Sequence, residues 1–189
     1  PLRRALAVLR QARGAHQPFR CQLLGAHLEG PFLADARRGA HPRQHLAKPT
    51  MAELKARING FENEIALVTL APELDGAAPL IEHLCGLGIR VALGHSTADA
   101  STANAAFERG VTMLTHSFNA MPGLHHRKPG PIGAACQRDD IALGLIADGV
   151  HVDPTMAVLL QRLAGDQLVL VSDALALSLI HISEPTRPG

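Results

Sequence analysis

Six short, largely apolar runs without apolar/polar alternation interleave with helix-forming segments along this chain, and that order restricts the fold more than any other feature. The runs are residues 21–28, 64–70, 89–93, 111–115, 141–147 and 168–171. A strand that is apolar at every position, instead of at every second one, is buried on both faces. Such strands belong to parallel sheets covered by helices, hence to the α/β class. The intervening segments carry helix signals. Leu2, Leu6, Leu9 and Arg13 have helical spacing before Gly14, predicting a helix over 2–13. Thr50-Met51-Ala52-Glu53 has the form of a capping box and opens a helix to about Asn59. Residues 78–87 put Leu80, Leu84 and Leu87 on one face, and residues 98–109 end at Gly110. Asp153 and Pro154 supply an N-cap and a first-turn proline for a helix to Ala164, with Gly165 after it. Two architectures satisfy this order, an open doubly wound sheet and a (β/α)8 barrel. No Gly-x-Gly-x-x-Gly follows the first run, which weakens the dinucleotide-binding form of the open sheet.

Composition removes several function classes. The 189 residues hold 18 Lys+Arg and 17 Asp+Glu, a net charge of +1. Nucleic acids and membrane surfaces select a basic excess, so neither is an expected partner. No apolar run approaches the roughly 18 residues of a membrane span. Cys21, Cys85 and Cys136 are odd in number and far apart, which fits a reducing cytoplasm and neither a disulfide framework nor a cysteine zinc motif. There is no signal-peptide pattern at Pro1. The one unusual count is eleven histidines.

Those histidines and the carboxylates fall where strands end. Glu29, Glu73, His95, His116, the Asp148-Gly149-Val150-His151 string and Asp173 each follow one of the six runs. Parallel strands bring their C-terminal ends to one face, which in a barrel is the catalytic face. Polar groups from five or six strand ends suit a ring; an open sheet gathers its site from two or three strands at one crevice. Glu29, His95 and His116 form a three-ligand set for a zinc-like ion with a fourth position for water. Asp173 is the candidate base for that water. A lone strand-end histidine is usually a hydrogen-bonded loop residue, and a lone aspartate before a loop is usually a helix cap. Four such groups at matching strand ends favour a metal hydrolase. The loop containing Arg38-Gly39-Ala40-His41 and the basic loop His125-His126-Arg127-Lys128-Pro129-Gly130 lie on the same face. The second suits an anionic group, although a solvated basic loop is the common alternative.

The strings Gly25-Ala26-His27-Leu28-Glu29-Gly30-Pro31-Phe32, Thr69-Leu70-Ala71-Pro72-Glu73, Gly94-His95-Ser96, His116-Ser117-Phe118-Asn119-Ala120-Met121, Asp148-Gly149-Val150-His151 and Ser172-Asp173-Ala174 occur in order. Together they resemble the N-acetylglucosamine-6-phosphate deacetylase family of the amidohydrolase superfamily, from about Leu23 to Ala176. The resemblance implies a partial TIM barrel in which six of eight strands are present. It implies a divalent metal ion of the zinc kind, one or two in number, held by Glu29, His95 and His116. Asp173 would be the catalytic acid/base. Ala40 and His41 would contact substrate, with His41 near the acetyl carbonyl, and Asn119, Ala120, Arg127 and His151 would hold the sugar phosphate. Ser117 replaces the larger apolar residue usual before Phe118. The first two strands, the metal site on the first and a β-sandwich domain have no counterpart here.

The expected reaction is hydrolysis of the acetamide of an amino-sugar phosphate, in a homo-oligomer when full length. Two alternatives stay open: another amidohydrolase, such as a cyclic amidase or deaminase, and an inactive truncated piece of the enzyme. Residues 1–176 read as the barrel fragment. Residues 177–189, beginning Leu177-Ser178-Leu179-Ile180-His181-Ile182, match the translation of a sequencing adapter and read as non-native.

Overall fold

A computed structural model describes residues 2–15 and 21–174. The segment expected to be non-native, 177–189, lies outside the described residues. Helix α1 (Leu2–Gly14) precedes β1 (Ala26–Glu29). There follow α2 (Met51–Ile58), β2 (Ile65–Leu70), α3 (Ala77–Gly86), β3 (Arg90–Leu93), α4 (Ala100–Glu108) and β4 (Val111–Leu114). The order closes with α5 (Gly130–Ala135), β5 (Ala142–Ile146), α6 (Pro154–Ala164) and β6 (Leu168–Val171).

All five pairings are parallel, and the spatial order of the strands is their sequence order, β1 to β6. That order decides between the two architectures. A doubly wound sheet reverses direction at a switch point. Here every crossover steps the same way, so right-handed connections put the helices on one side and leave the other side as a concave wall. The result is a curled part-barrel of six strands.

The core lies between this wall and its helices. Leu70, Val91, Leu93, Leu114 and Leu143 from the strands meet Leu80, Leu84, Ala103 and Leu160 from the helices, all essentially without solvent contact. Burial on both faces holds for most of β2, β3 and β5; it fails within the interior strand β4, where Thr112 is exposed, and at the β6 edge, where Val169 and Leu170 are exposed. An edge strand has a neighbour on one side only, so an apolar run does not guarantee burial there. On α3 the buried face is Leu80, Ile81 and Leu84, while Leu87 is exposed beyond the helix end.

The caps form largely as their sequences dictate. Thr50 Oγ1 accepts from Glu53 N at 3.2 Å, but the Glu53 carboxylate pairs with Arg57, so only half of the capping box is made. Asp153 Oδ1 accepts from Thr155 N at 2.8 Å at the start of α6. Helix α1 is fastened to the body by arginines. Arg10 pairs with Glu64 at 2.8 Å and, with Arg3, lies over the Phe61 ring.

Candidate metal centre at the strand ends

Glu29 is the last residue of β1, and its pairing partner on β2 is Thr69. His95 stands two residues past β3 and His116 two residues past β4. Three strands therefore deliver three side chains to one end of the wall. His95 and His116 have left-handed backbones, with φ of 48° and 32°, as does Asp173 with φ of 48°. A residue with a Cβ avoids this region, so surrounding structure must hold it there. Backbone bonds provide that hold. His95 O accepts from Ala34 N at 2.9 Å, Ser96 N donates to Ala120 O at 3.0 Å, and Ser117 N donates to Gly144 O at 2.6 Å.

The three donor atoms converge. His95 Nε2 is 3.1 Å from Glu29 Oε1, His116 Nε2 is 3.1 Å from the same oxygen, and the two Nε2 atoms are 3.0 Å apart. Tetrahedral ligands about 2.0–2.1 Å from a zinc ion stand about 3.3 Å from one another. The triangle formed by these atoms is close to that size, so the residues present fit a small divalent cation. The two histidine rings are nearly perpendicular, at 83°. His95 Nδ1 is 2.7 Å from Arg37 O; a carbonyl only accepts, so Nδ1 carries the proton and Nε2 keeps its lone pair. His116 Nδ1 and the neighbouring Ser117 Oγ are buried and have no hydrogen-bond partner among the described residues. The His116 ring is therefore fixed through its Nε2 side alone.

The carboxylate and the imidazoles of the cluster are electrostatically coupled. Burial pushes the Glu29 carboxyl up, but hydrogen bonds from His116, His41 and His95 outweigh it and hold the carboxyl well below the usual range. Burial pushes His116 down, and the bond to Glu29 and its charge more than reverse that. The Glu29 side chain keeps 23% of its exposure, against 7% for His95 and 4% for His116, so the cluster opens on the Glu29 side.

His41 stands at that opening. Its Nε2 is 3.3 Å from Glu29 Oε2, and its ring meets His95 edge-on at 4.8 Å. Ala40 precedes it on the same exposed turn. Gly39 lies beneath, where a Cβ would sit 3.2 Å from His95 Cε1 on a backbone with φ of 57°. Asn119 and Ala120 follow His116 in a tight loop, with Ala120 at φ of 51°. Arg127 and His151 occupy exposed loops beyond β4 and β5. His151 Nδ1 is 2.6 Å from Asp148 Oδ2. Asp173 lies two residues past β6, outside the Glu29–His95–His116 cluster, and its charge still acts on His27 and His116.

Sequence reading assigned no role to two residues that the structure ties to the site. His27 lies two positions before Glu29, hence on the same face of β1. Its Nε2 is 2.7 Å from Thr69 Oγ1, which is 2.7 Å from Thr115 Oγ1, a polar chain across the wall below the cluster. Burial pushes the His27 imidazole down. Glu73 is the second, bonded to the turn after His95. The i, i+2 spacing to Glu29 was the available signal for His27.

Fold and site define an α/β part-barrel whose strand ends carry a metal-type ligand set. No protein-family model matches the chain. Its sequence is similar to those of N-acetylglucosamine-6-phosphate deacetylases. It is 42% identical over 165 residues to such an enzyme from Bos taurus, covering 83% of this chain and 40% of that protein. It is also 42% identical over 154 residues to an N-acetylgalactosamine-6-phosphate deacetylase from Escherichia coli O157:H7, covering 82% and 41%. The solved deacetylase of Mycobacterium smegmatis, in a complex with N-acetyl-D-glucosamine-6-phosphate, superposes with a TM-score of 0.83 at 34% identity, over 94% of this chain and 45% of that one. The chain thus spans about 40% of the length of the curated relatives it matches.

Proposed function

We propose that this chain supplies the greater part of the active site of an enzyme that hydrolyses the acetamide of N-acetylglucosamine 6-phosphate to glucosamine 6-phosphate and acetate. The observation that carries the reading is the convergence of Glu29 Oε1, His95 Nε2 and His116 Nε2 at 3.0–3.1 Å. Similarity to the named deacetylases supplies the substrate class. A divalent cation of the zinc kind, bound there, would polarise the acetyl carbonyl and make water acidic enough to act near neutral pH. The other roles fall to residues of the chain.

Asp173 takes the proton of the attacking water and delivers it to the departing amine, which leaves only when protonated. His41, already aimed at the Glu29 side of the cluster, donates to the oxygen that gains charge as the carbonyl is attacked. Asn119, Ala120, Arg127 and His151 hold the sugar phosphate, with Arg127 supplying the charge-assisted contact. The relatives act on two sugars that share the acetamide and the phosphate, so the configuration of the sugar is the finer point. We assign the glucosamine form. The whole protein is read as a cytoplasmic homo-oligomer; free Cys21, Cys85 and Cys136 support the reducing compartment. Among the described residues no helix is long and apolar enough to cross a membrane. Turnover is assigned to the complete protein and not to residues 1–176 alone, because a barrel of this type needs about 250 residues. Residues 177–189 are read as foreign, which the source DNA tests directly.

The test is acetate release by the complete protein, as wild type and as Asp173→Asn. The reading expects turnover of the 6-phosphate substrate, its loss in the variant, and unchanged metal content in both. Turnover retained by Asp173→Asn removes that residue from the mechanism. Preference for a cyclic amide over acetylated amino sugars replaces the deacetylase with another amidohydrolase.

A further inference from the structure

One carboxylate at the strand ends takes no part in the reaction as assigned, yet it is bonded to the residues directly after a ligand. Glu73, three residues past β2, accepts from Ser96 Oγ at 2.6 Å, from Thr97 N at 2.5 Å and from Thr97 Oγ1 at 3.0 Å. Ser96 is fully buried, and its Oγ also accepts from Ala98 N at 2.9 Å. The turn so gripped begins at His95, whose φ of 48° is a conformation that needs outside support. On the other side of the ring, Arg37 O fixes Nδ1. Backbone and ring of His95 are thus clamped from two loops, one after β1 and one after β2.

We propose that Glu73 is a positioning residue for His95: by locking the Ser96–Thr97 turn it sets where His95 Nε2 points. The inference rests on the reading of Glu29, His95 and His116 as metal ligands. Partners one step removed from a metal ion orient its ligands, and their loss weakens metal binding about 10- to 100-fold. Removing the carboxylate leaves the buried Ser96 hydroxyl without its acceptor and frees Thr97 N, so the turn keeps only its bonds to Ala34, Ala98 and Ala120 and loosens on the Thr97 side.

The experiment measures zinc affinity of the complete protein by competition with a chromophoric chelator, and visible absorption of its cobalt form. The variants are Glu73→Ala, Glu73→Gln, Ser96→Ala and Asp99→Ala. Asp99 caps the helix that follows the same turn, accepting from Thr102 N at 2.8 Å, and serves as the control for general destabilisation. Glu73→Ala is expected to weaken zinc binding about 10- to 100-fold and shift the cobalt bands. Glu73→Gln, which keeps one acceptor, recovers part of the affinity. Ser96→Ala produces a smaller loss of the same kind and stands in for Glu73→Ala should that protein not fold. Asp99→Ala lowers the melting temperature and leaves affinity alone. Wild-type affinity in Glu73→Ala, or in Ser96→Ala when the former is unfolded, overturns the inference; so does an equal loss in Asp99→Ala. Failure of the unsubstituted protein to bind zinc overturns instead the ligand reading beneath it.

Discussion

His95 Nε2 and His116 Nε2 stand 3.0 Å apart although 21 residues and a whole strand–helix unit separate them. Two imidazole nitrogens do not face each other at that distance without something between them that both prefer, a proton or a cation. Glu29 Oε1, 3.1 Å from each, contributes the negative charge that either would need. If a cation is the occupant, Glu29→Gln removes the one anionic ligand among the described residues. Zinc affinity should then fall by more than the roughly 100-fold associated with losing an outer partner. Equilibrium dialysis measures this, and binding within tenfold of wild type contradicts it.

The polar chain under the cluster depends on Gly94. A Cβ there would sit 2.7 Å from Thr69 Cγ2 and 2.8 Å from Thr115 Cβ, the two residues whose hydroxyls meet across β3. Overpacking of this kind costs about 1–3 kcal/mol. Gly94→Ala should therefore lower stability by that amount in denaturant titration and weaken metal binding with it, since His95 is the next residue. An unchanged midpoint would mean that the wall yields freely there.

Thr69→Val keeps the shape of the side chain but deletes the hydroxyl shared by His27 and Thr115. Leaving a buried polar group without its partner costs about 1–3 kcal/mol. We expect a loss in that range by urea unfolding, because the buried Thr115 hydroxyl is left without its partner, and expect Thr115→Val to suppress most of the penalty, because that hydroxyl is then gone. Equal and additive losses in the two single variants and the double variant would show that the residues do not interact.

Asp148 gives a pH test with a definite sign. Its carboxylate accepts from the backbone N–H groups of His151 and Val150 and pairs with the His151 ring, which together draw it down to about 2. A carboxyl depressed on folding adds stability that is fully present above its unfolded value, near 3.8, and is lost as pH falls toward 2. The gap in melting temperature between wild type and Asp148→Ala should be constant above about pH 5 and close as the solution is acidified through that window. A gap that widens on acidification contradicts the assignment. The group is largely exposed, so the effect is small.

Strand-end chemistry was legible because parallel strands translate sequence position directly into place: Glu29, His95 and His116 each close an apolar run, and the structure brings all three together. Where local signals failed, the causes were tertiary. The first run was expected from residue 21, yet β1 begins at Ala26, because 21–24 are exposed at an edge of the sheet and Gly25 packs against Ala66. Helix α5 was not expected at all. Its sequence Gly-Pro-Ile-Gly-Ala-Ala is a poor helix former, and burial of Pro131, Ile132, Ala134 and Ala135 holds it in place. Glu73 was visible as a strand-end carboxylate, but its partners lie 23 and 24 residues on, across a neighbouring loop that no spacing rule reaches.

Crystals of the complete protein grown with zinc test most directly whether Glu29, His95 and His116 share one ion. Anomalous difference density collected on both sides of the zinc absorption edge should give a peak within about 2.0–2.2 Å of Glu29 Oε1, His95 Nε2 and His116 Nε2. A fully occupied zinc peak elsewhere, with these three atoms still touching one another, would contradict a shared ion.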